Sequence, residues 1–331
     1  MKAFRLLLTI ILLSLFSVAN AQKKVIVAYI TSWTRVIPDP NYVTHLNYAF
    51  GHVNDNFNGI KIDNEPRLKE IVALKRQFPM LKVMLSIGGW TSGKFSEMAA
   101  TADNRNNFAE DCLRVIKEFK LDGIDIDWEY PTSTEAKISA SPDDTKNYTL
   151  LMQGIRKKIG KKQLLTLASI ADAIYIDYKA INPIVDFVNI MPYDTGLPTF
   201  HHAGLYRSKN TSRISVEEAV LAHVRAGIPI NKLVMGIPFY GHGKSGVPGY
   251  IDYKDIIKLT GYKEMWDDVA KAPYWENDKG EFVLTYETPR SIKEKCNYIL
   301  NKGMLGAMYW DYAADTQDGV LRKAVHSGVK N

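Results

Sequence analysis

Eight short apolar runs recur along the chain, and the segments between most of them carry helical patterns. The runs are Val25–Ile30, Thr44–Phe50, Leu81–Ile87, Leu121–Pro131, Leu164–Ser169, Val185–Tyr193, Leu233–Tyr240 and Met304–Asp311. A strand covered by helices on both faces reads as such a run, bounded by polar residues. Between the runs, Leu68, Ile71, Val72 and Phe78 keep helical spacing after Asn64-Glu65-Pro66, with proline near the first turn, where it is tolerated. Phe108, Cys112, Val115, Ile116 and Phe119 make a second apolar stripe, and Leu151, Met152, Ile155 and Ile159 a third, capped by Ser141-Pro142-Asp143-Asp144. Ser215-Val216-Glu217-Glu218 is a capping box and Gly227 its helix stop, while Thr288-Pro289 and Gly303 bracket the last long helix. Strand–helix alternation of this kind is satisfied by a parallel sheet covered with helices. A chain of this length fits one (β/α)8 TIM barrel, an α/β fold, with a short insertion after strand 7. A doubly wound sheet would want a glycine-rich turn after the first strand, and Tyr29-Ile30-Thr31-Ser32 offers none.

The fourth run is unlike the others. In Leu121–Pro131 acidic residues alternate with large apolar ones, so Asp125, Asp127 and Glu129 share one face of a strand and Ile124, Ile126 and Trp128 the other. Asp122 breaks the parity and belongs at the strand's entrance. Three like charges on one short strand repel, which makes a merely solvated acidic face a poor explanation. Neighbouring carboxylates and burial both raise a carboxyl pKa, so the cluster is suited to keeping one acid protonated near neutral pH. In a barrel, chemistry gathers where the strands end at the C-terminal face. Trp33, Trp90, Glu129, Tyr193, Asp194, Tyr240 and Trp310 all fall at such ends.

Residues 1–21 read separately. Lys2 and Arg5 precede an apolar run from Leu6 to Val18, then Ala19-Asn20-Ala21 supplies small residues for cleavage, the pattern of a secretory signal peptide. The run is shorter than the roughly 20 residues that span a bilayer. The expectation is a secreted or periplasmic protein, with no membrane association after cleavage and 22–331 as one catalytic domain. Loss of Lys2 and Arg5 lowers the net charge from +6 to +4. The remaining basic residues are scattered among acids without a stripe or recognition motif, so no nucleic acid is expected as a partner. Cys112 and Cys296 lie on helices on roughly opposite sides of the expected barrel, whereas a disulfide needs Cα atoms within about 7 Å, so both are expected as buried free thiols.

Together these residues resemble family 18 of the glycoside hydrolases, the chitinase family. Its signature Asp-x-x-Asp-x-Asp-x-Glu is matched by Asp122, Asp125, Asp127 and Glu129. Ser86-Ile87-Gly88-Gly89-Trp90, Met191-Pro192-Tyr193-Asp194, Gly236-Ile237-Pro238-Phe239-Tyr240-Gly241 and the final-strand Trp310 match its other motifs in order, across essentially all of the mature chain. The resemblance implies a retaining, endo-acting glycosidase that cleaves β-1,4 bonds in chitin or chito-oligosaccharides with assistance from the substrate's own N-acetyl group and without a cofactor or metal. It implies Glu129 as acid and base, Asp127 as the acceptor that orients the acetamido group, Asp125 as its proton-sharing partner, Tyr193 as a donor to the acetamido oxygen, and Asp122 as structural. Trp310 would floor the sugar at the cleavage point and Trp33 and Trp90 would stack on flanking sugars. Asp194 and Met191 would shape the pocket, with Tyr29, Phe50 and Tyr240 as further substrate contacts or barrel filling. Two rivals share the motifs: an endo-β-N-acetylglucosaminidase acting on N-glycan cores, and a catalytically dead chitin-binding lectin, which would typically lack Glu129.

The segment Gly241 to Met265 has room for a loop and short helix, which predicts a shallow, open groove. Gly241-His242-Gly243-Lys244-Ser245 resembles a phosphate loop, but Pro238 stands where the first glycine should be. His201-His202 reads as a solvated loop pair, with no acid or cysteine spacing to suggest a metal. A monomer is the expected state. Cleavage after Ala21 predicts that protein exported by a secretion-competent host begins at Gln22, as N-terminal sequencing would show; an intact Met1 on exported protein would refute it.

Overall fold

The computed structural model describes residues 23–330, so the expected leader lies outside the described residues. The eight expected strands are Val25–Thr31, His45–Val53, Lys82–Gly88, Gly123–Asp127, Leu164–Ile170, Phe187–Met191, Leu233–Pro238 and Gly306–Trp310. Each pairs in parallel with its sequence neighbours, and the first pairs with both the second and the eighth, which closes the sheet into a (β/α)8 barrel. A short strand, Ile60–Ile62, extends the second barrel strand as an antiparallel hairpin.

Closure divides the side chains of every strand between two environments. On the first strand, Ile26, Ala28 and Ile30 pack outward into the main core under the helices, while Val27 and Tyr29 join a smaller cluster inside the barrel with Phe50, Phe187, Tyr193, Tyr240 and Met308. The fourth strand obeys the same parity. Ile124, Ile126 and Trp128 are buried in the outer core, and Asp125 and Asp127 are buried on the inner face. Covering the outer face are helices Glu65–Ala73, Ala102–Phe119, Asp144–Ile159, Val216–Ala226, Pro289–Lys302 and Val320–Lys330. Ser215 and Glu218 form the expected capping box, and Gly227 and Gly303 end their helices in the left-handed conformation. One cap differs. Asp144 is buried, and its carboxylate accepts from the Ser141 and Thr132 amides and the Ser96 hydroxyl, tying the helix start to its surroundings.

The insertion after the seventh strand corrects the expectation of a loop and short helix. It contains a five-stranded antiparallel sheet made of Tyr240–Gly243, Ile251–Asp252, Lys263–Asp267, Ala272–Glu276 and Phe282–Thr285, with one four-residue helix, Tyr253–Ile256. Gly241-His242-Gly243 therefore lies on a strand that pairs with Ile251 and Leu284, not on a phosphate loop. Cys112 and Cys296 are buried and unpaired. Among the described residues no helix is long and apolar enough to cross a membrane.

Asp122 sits one residue before the fourth strand. Its carboxylate accepts from the Val83 amide at 2.9 Å and pairs with Lys75 and Lys82, so it ties the third and fourth strands together at the end away from the acidic cluster. Asp122→Ala leaves that amide without its acceptor and should destabilise the fold by about 1–3 kcal/mol in urea unfolding, with turnover per folded molecule retained. A variant as stable as the parent would refute this role.

Candidate active site

The inner face of the fourth strand rises from a fully buried carboxylate to one at the mouth of the barrel. Asp125 lies deepest. Its Oδ2 accepts from the Tyr29 hydroxyl at 2.7 Å and the Ser86 hydroxyl at 2.8 Å, and its Oδ1 from Thr166 at 2.5 Å and the Asn189 amide at 3.2 Å. These donors come from the first, third, fifth and sixth strands, so one side chain draws together half the staves of the barrel. Burial raises the pKa of Asp125, while the four hydrogen bonds work in the opposite direction.

Asp127 stands one pleat higher, buried, with Oδ1 lacking a hydrogen-bond partner among the described residues. Burial, then the charges of Glu129 and Asp125, push its pKa well above its ordinary value, which favours the protonated form. No hydrogen bond joins it to Asp125, whose oxygens are taken by the four donors. Glu129 lies two residues beyond the strand's last residue, Asp127. Burial, helped by the charge of Asp194, pushes Glu129 up to about 7 against the pull of a 2.9 Å hydrogen bond from the Tyr130 hydroxyl. Two glycines bring the third strand close to this end. Gly88 and Gly89 have φ of 129° and 93°; a Cβ on Gly88 would lie 2.0 Å from the Asp127 carbonyl oxygen, and one on Gly89 would strike the Phe50 ring. The Gly89 amide donates to that same carbonyl at 2.8 Å.

Aromatic rings surround the acids. Trp310, half-buried at the end of the eighth strand, stacks on Phe50 with centroids 5.6 Å apart and planes 19° from parallel, and it meets Tyr29 at 5.7 Å and Trp33 at 6.5 Å. Trp33 is 64% exposed and Trp90 53% exposed, so both have open ring surface at the barrel mouth. Trp90 belongs to a separate group, edge-on to Tyr130, which stacks on Tyr175. Met191 is half-buried at the end of the sixth strand, against the cluster that contains Tyr193 and Tyr240. Tyr193 is buried and meets Tyr240 edge-on at 6.2 Å; burial and then the Asp127 charge push its pKa well up, so its phenol keeps a proton to donate.

Asp194, in the left-handed conformation at φ 56°, accepts from Tyr240 at 2.7 Å on each oxygen and from His242 Nε2 at 2.7 Å. Burial would raise its pKa, but the hydrogen bonds from His202 and His242 hold it below the usual carboxylate range. Here the reading of His201-His202 as solvated is corrected, because both rings are buried. His201 Nε2 bonds Asp267 at 3.2 Å and His202 Nδ1 lies 3.5 Å from Asp194 Oδ1. Asp194, His202 and His242 bring possible ligand atoms within 4.8 Å of one another. Both oxygens of Asp194 and both ring nitrogens of His242 are already hydrogen-bonded, so the cluster is a proton-sharing network.

The structure thus gathers Asp125, Asp127, Glu129, Tyr193, Asp194, Tyr240, Tyr29, Phe50, Trp310 and Trp33 around one barrel mouth, with Trp90 to one side and Asp122 at the far end. Sequence reasoning missed Ser86, Thr166 and Asn189, which are the inward polar residues of otherwise apolar strands and were findable by that parity. It also missed Tyr130, next to Glu129, and the insertion's His242 and Tyr250, which no spacing pointed to. Tyr250 stacks on Tyr240 at 4.6 Å.

This geometry has counterparts in known proteins. The family model for glycosyl hydrolases family 18 matches residues 25–315. Chitinase A1 of Niallia circulans is 35% identical over 77% of this chain and 44% of its own length, so the chain spans less than half of that relative. Endochitinase 1 of Metarhizium robertsii is 32% identical over 80% of this chain and 69% of its own. A solved family 18 N-acetylglucosaminidase from Paenibacillus barengoltzii superposes with a TM-score of 0.86 at 34% identity, covering 92% of this chain and all of its own. With the family match spanning the whole barrel and the acidic strand at its centre, the chain belongs to glycosyl hydrolases family 18 and is a glycoside hydrolase.

Proposed function

We propose that this protein is a secreted retaining chitinase that hydrolyses β-1,4 bonds between N-acetylglucosamine units by substrate-assisted catalysis. The observation that carries the reading is the inward face of the fourth strand, where an acid at about 7 stands above a buried carboxyl whose pKa is pushed up and which has an unpartnered oxygen. The names of the chitinase relatives and the exposed rings of Trp33 and Trp90 at the barrel mouth favour chitin as substrate. Export rests on the leader pattern in the sequence alone.

In this mechanism Glu129 gives its proton to the leaving glycosidic oxygen as the acetamido carbonyl oxygen of the sugar attacks the anomeric carbon, and the C–O bond to the leaving sugar breaks. The product of that step is a cyclic oxazolinium ion. Water then attacks the anomeric carbon from the face the leaving group vacated, Glu129 takes its proton, and the ring opens with retained configuration. The unpartnered Asp127 oxygen accepts the acetamido N–H, and the negative charge of the Asp125–Asp127 pair opposes the oxazolinium charge. Tyr193 donates to the acetamido oxygen and orients it. Trp310, backed by Phe50, forms an apolar floor for the sugar, and Trp33 and Trp90 bind neighbouring units through their exposed rings. Asp194 and Tyr240 bound the pocket from the insertion side. No step calls for a cofactor.

A second reading follows from the Paenibacillus structure, whose full length this chain covers and whose description is an N-acetylglucosaminidase. Release of single N-acetylglucosamine units from chain ends would use the same catalytic groups. Products from chitohexaose distinguish the two, because mixed internal cleavage supports the chitinase reading and monomer alone the second. Glycan release from a high-mannose glycoprotein without cleavage of chitohexaose would defeat both.

Glu129→Gln should lower kcat by at least the 10²–10⁴-fold that a general acid contributes, with oligosaccharide binding retained. Asp127→Asn should also cripple turnover, and a neutral effect would remove substrate assistance from the mechanism. Because Glu129 must be protonated to act on the leaving oxygen, kcat/KM should fall as pH rises through about 7. A rate flat across that range would refute Glu129 as the acid.

A further inference from the structure

The ring of His242 makes a short contact at each nitrogen. Nδ1 lies 2.7 Å from the Gly249 carbonyl oxygen and Nε2 lies 2.7 Å from Asp194 Oδ1. A carbonyl oxygen only accepts, so Nδ1 carries a proton. An ionised carboxylate also only accepts, and neutral imidazole has a single N–H. With one proton on the ring, one of the two contacts would set lone pair against lone pair at hydrogen-bond distance. We infer that His242 is an imidazolium in the working enzyme and a positioning residue, holding Asp194 oriented at the pocket and offsetting the effect of its charge on Glu129.

The surroundings of the ring fit this assignment. Asp194 and His202 face it from the segment after the sixth strand, with the His202 ring centroid 5.0 Å away. Tyr240 lies beside it on its own strand at 5.6 Å, and Tyr250 lies at 6.3 Å. Glu287, before the last long helix, acts on His202. Burial opposes charge on both histidines, but the two are not equivalent. His202 is fully buried, stands 3.5 Å from the carboxylate and has Nε2 unpartnered, which suits a neutral ring with a lowered pKa. His242 has the carboxylate at 2.7 Å and a carbonyl on its other side, and the hydrogen bond and charge of Asp194 outweigh burial to raise its pKa. The Tyr240 hydroxyl, shared between both oxygens of Asp194, holds the carboxylate from the barrel side, so His242 and Tyr240 grip it between them.

The consequence reaches the proton donor. Asp194 raises the pKa of Glu129 through its charge. While His242 is protonated, the pair with Asp194 is neutral overall. When pH rises through the raised His242 pKa, the proton leaves to solvent, Nε2 faces Asp194 with a lone pair, and the uncompensated carboxylate acts on Glu129 at full strength. The protonation state of one insertion residue therefore sets both the orientation of the pocket carboxylate and the pH range of the acid.

This inference rests on Glu129 being the acid, and two measurements separate its failure from failure of that reading. The first needs no turnover. In the full-length protein with 15N-labelled imidazoles, long-range 1H–15N spectra followed against pH should show one histidine protonated at both nitrogens at neutral pH. It should titrate above the ordinary histidine value of about 6.5, and its signals should be missing in His242→Gln. Titration of His242 at or below that value would overturn the assignment. The second is the pH profile of kcat/KM. Glutamine keeps an N–H for Asp194 but no charge, so the alkaline midpoint should move up by roughly half to one pH unit, whereas His242→Arg, which keeps a positive charge, should hold it at the wild-type position. A glutamine profile superimposed on that of the wild type would overturn the role of the charge, even with Glu129→Gln inactive.

Discussion

The structure depends on placing like charges where they repel and cannot be solvated. Asp125, Asp127 and Glu129 stand on one face of a single strand, and barrel closure turns that face inward. Burying carboxylates is unfavourable unless each is hydrogen-bonded or protonated. The barrel uses both remedies in sequence. Four donors surround Asp125 at the bottom, Asp127 above it has its pKa pushed up toward the protonated form, and Glu129 at the rim is left near the neutral range. The graded arrangement follows from depth, since each step up the strand exchanges protein donors for proximity to the mouth.

The rest of the site serves that gradient. Tyr29, Ser86, Thr166 and Asn189 spend the inward positions of four strands on one carboxylate, at the expense of apolar filling, and so tie the chemistry to the register of the barrel. A shift of one residue in any of these strands would turn its donor outward. The paired glycines at the end of the third strand belong to the same requirement, because they let that strand close on the Asp127 carbonyl and the Phe50 ring. On the opposite side the segment after the sixth strand and the insertion together add a second charge system, Asp194 and His202 with Tyr240 and His242, which acts on Glu129 through space and not through the strand.

The fold was legible because burial on both faces leaves a plain trace. Strands such as Val25–Thr31 and Leu233–Pro238 are nearly all apolar, and the helices between them carry stripes and caps strong enough to read singly. The insertion was not legible for the converse reason. Lys263–Asp267 and Ala272–Glu276 are short strands that mix charged, aromatic and small residues, and their hairpin joins the rest of the insertion only through Phe282–Thr285 and Tyr240–Gly243. His202 illustrates the same limit: next to a second histidine in a loop segment it looks solvated, yet packing against Tyr240 and His242 buries it completely.

By itself the sequence determined that a parallel α/β barrel would form and that three acids would lie on one face of its fourth strand, because strand parity and helical spacing are local properties of the chain. Only the tertiary structure decided what those acids became. Which carboxyl is ringed by donors, which is pushed toward its protonated form by its neighbours and which titrates near 7 depends on side chains brought from four other strands and on Asp194 across the barrel mouth. Hydrogen bonding, burial and Coulomb interaction act through distances that exist only once the barrel has closed.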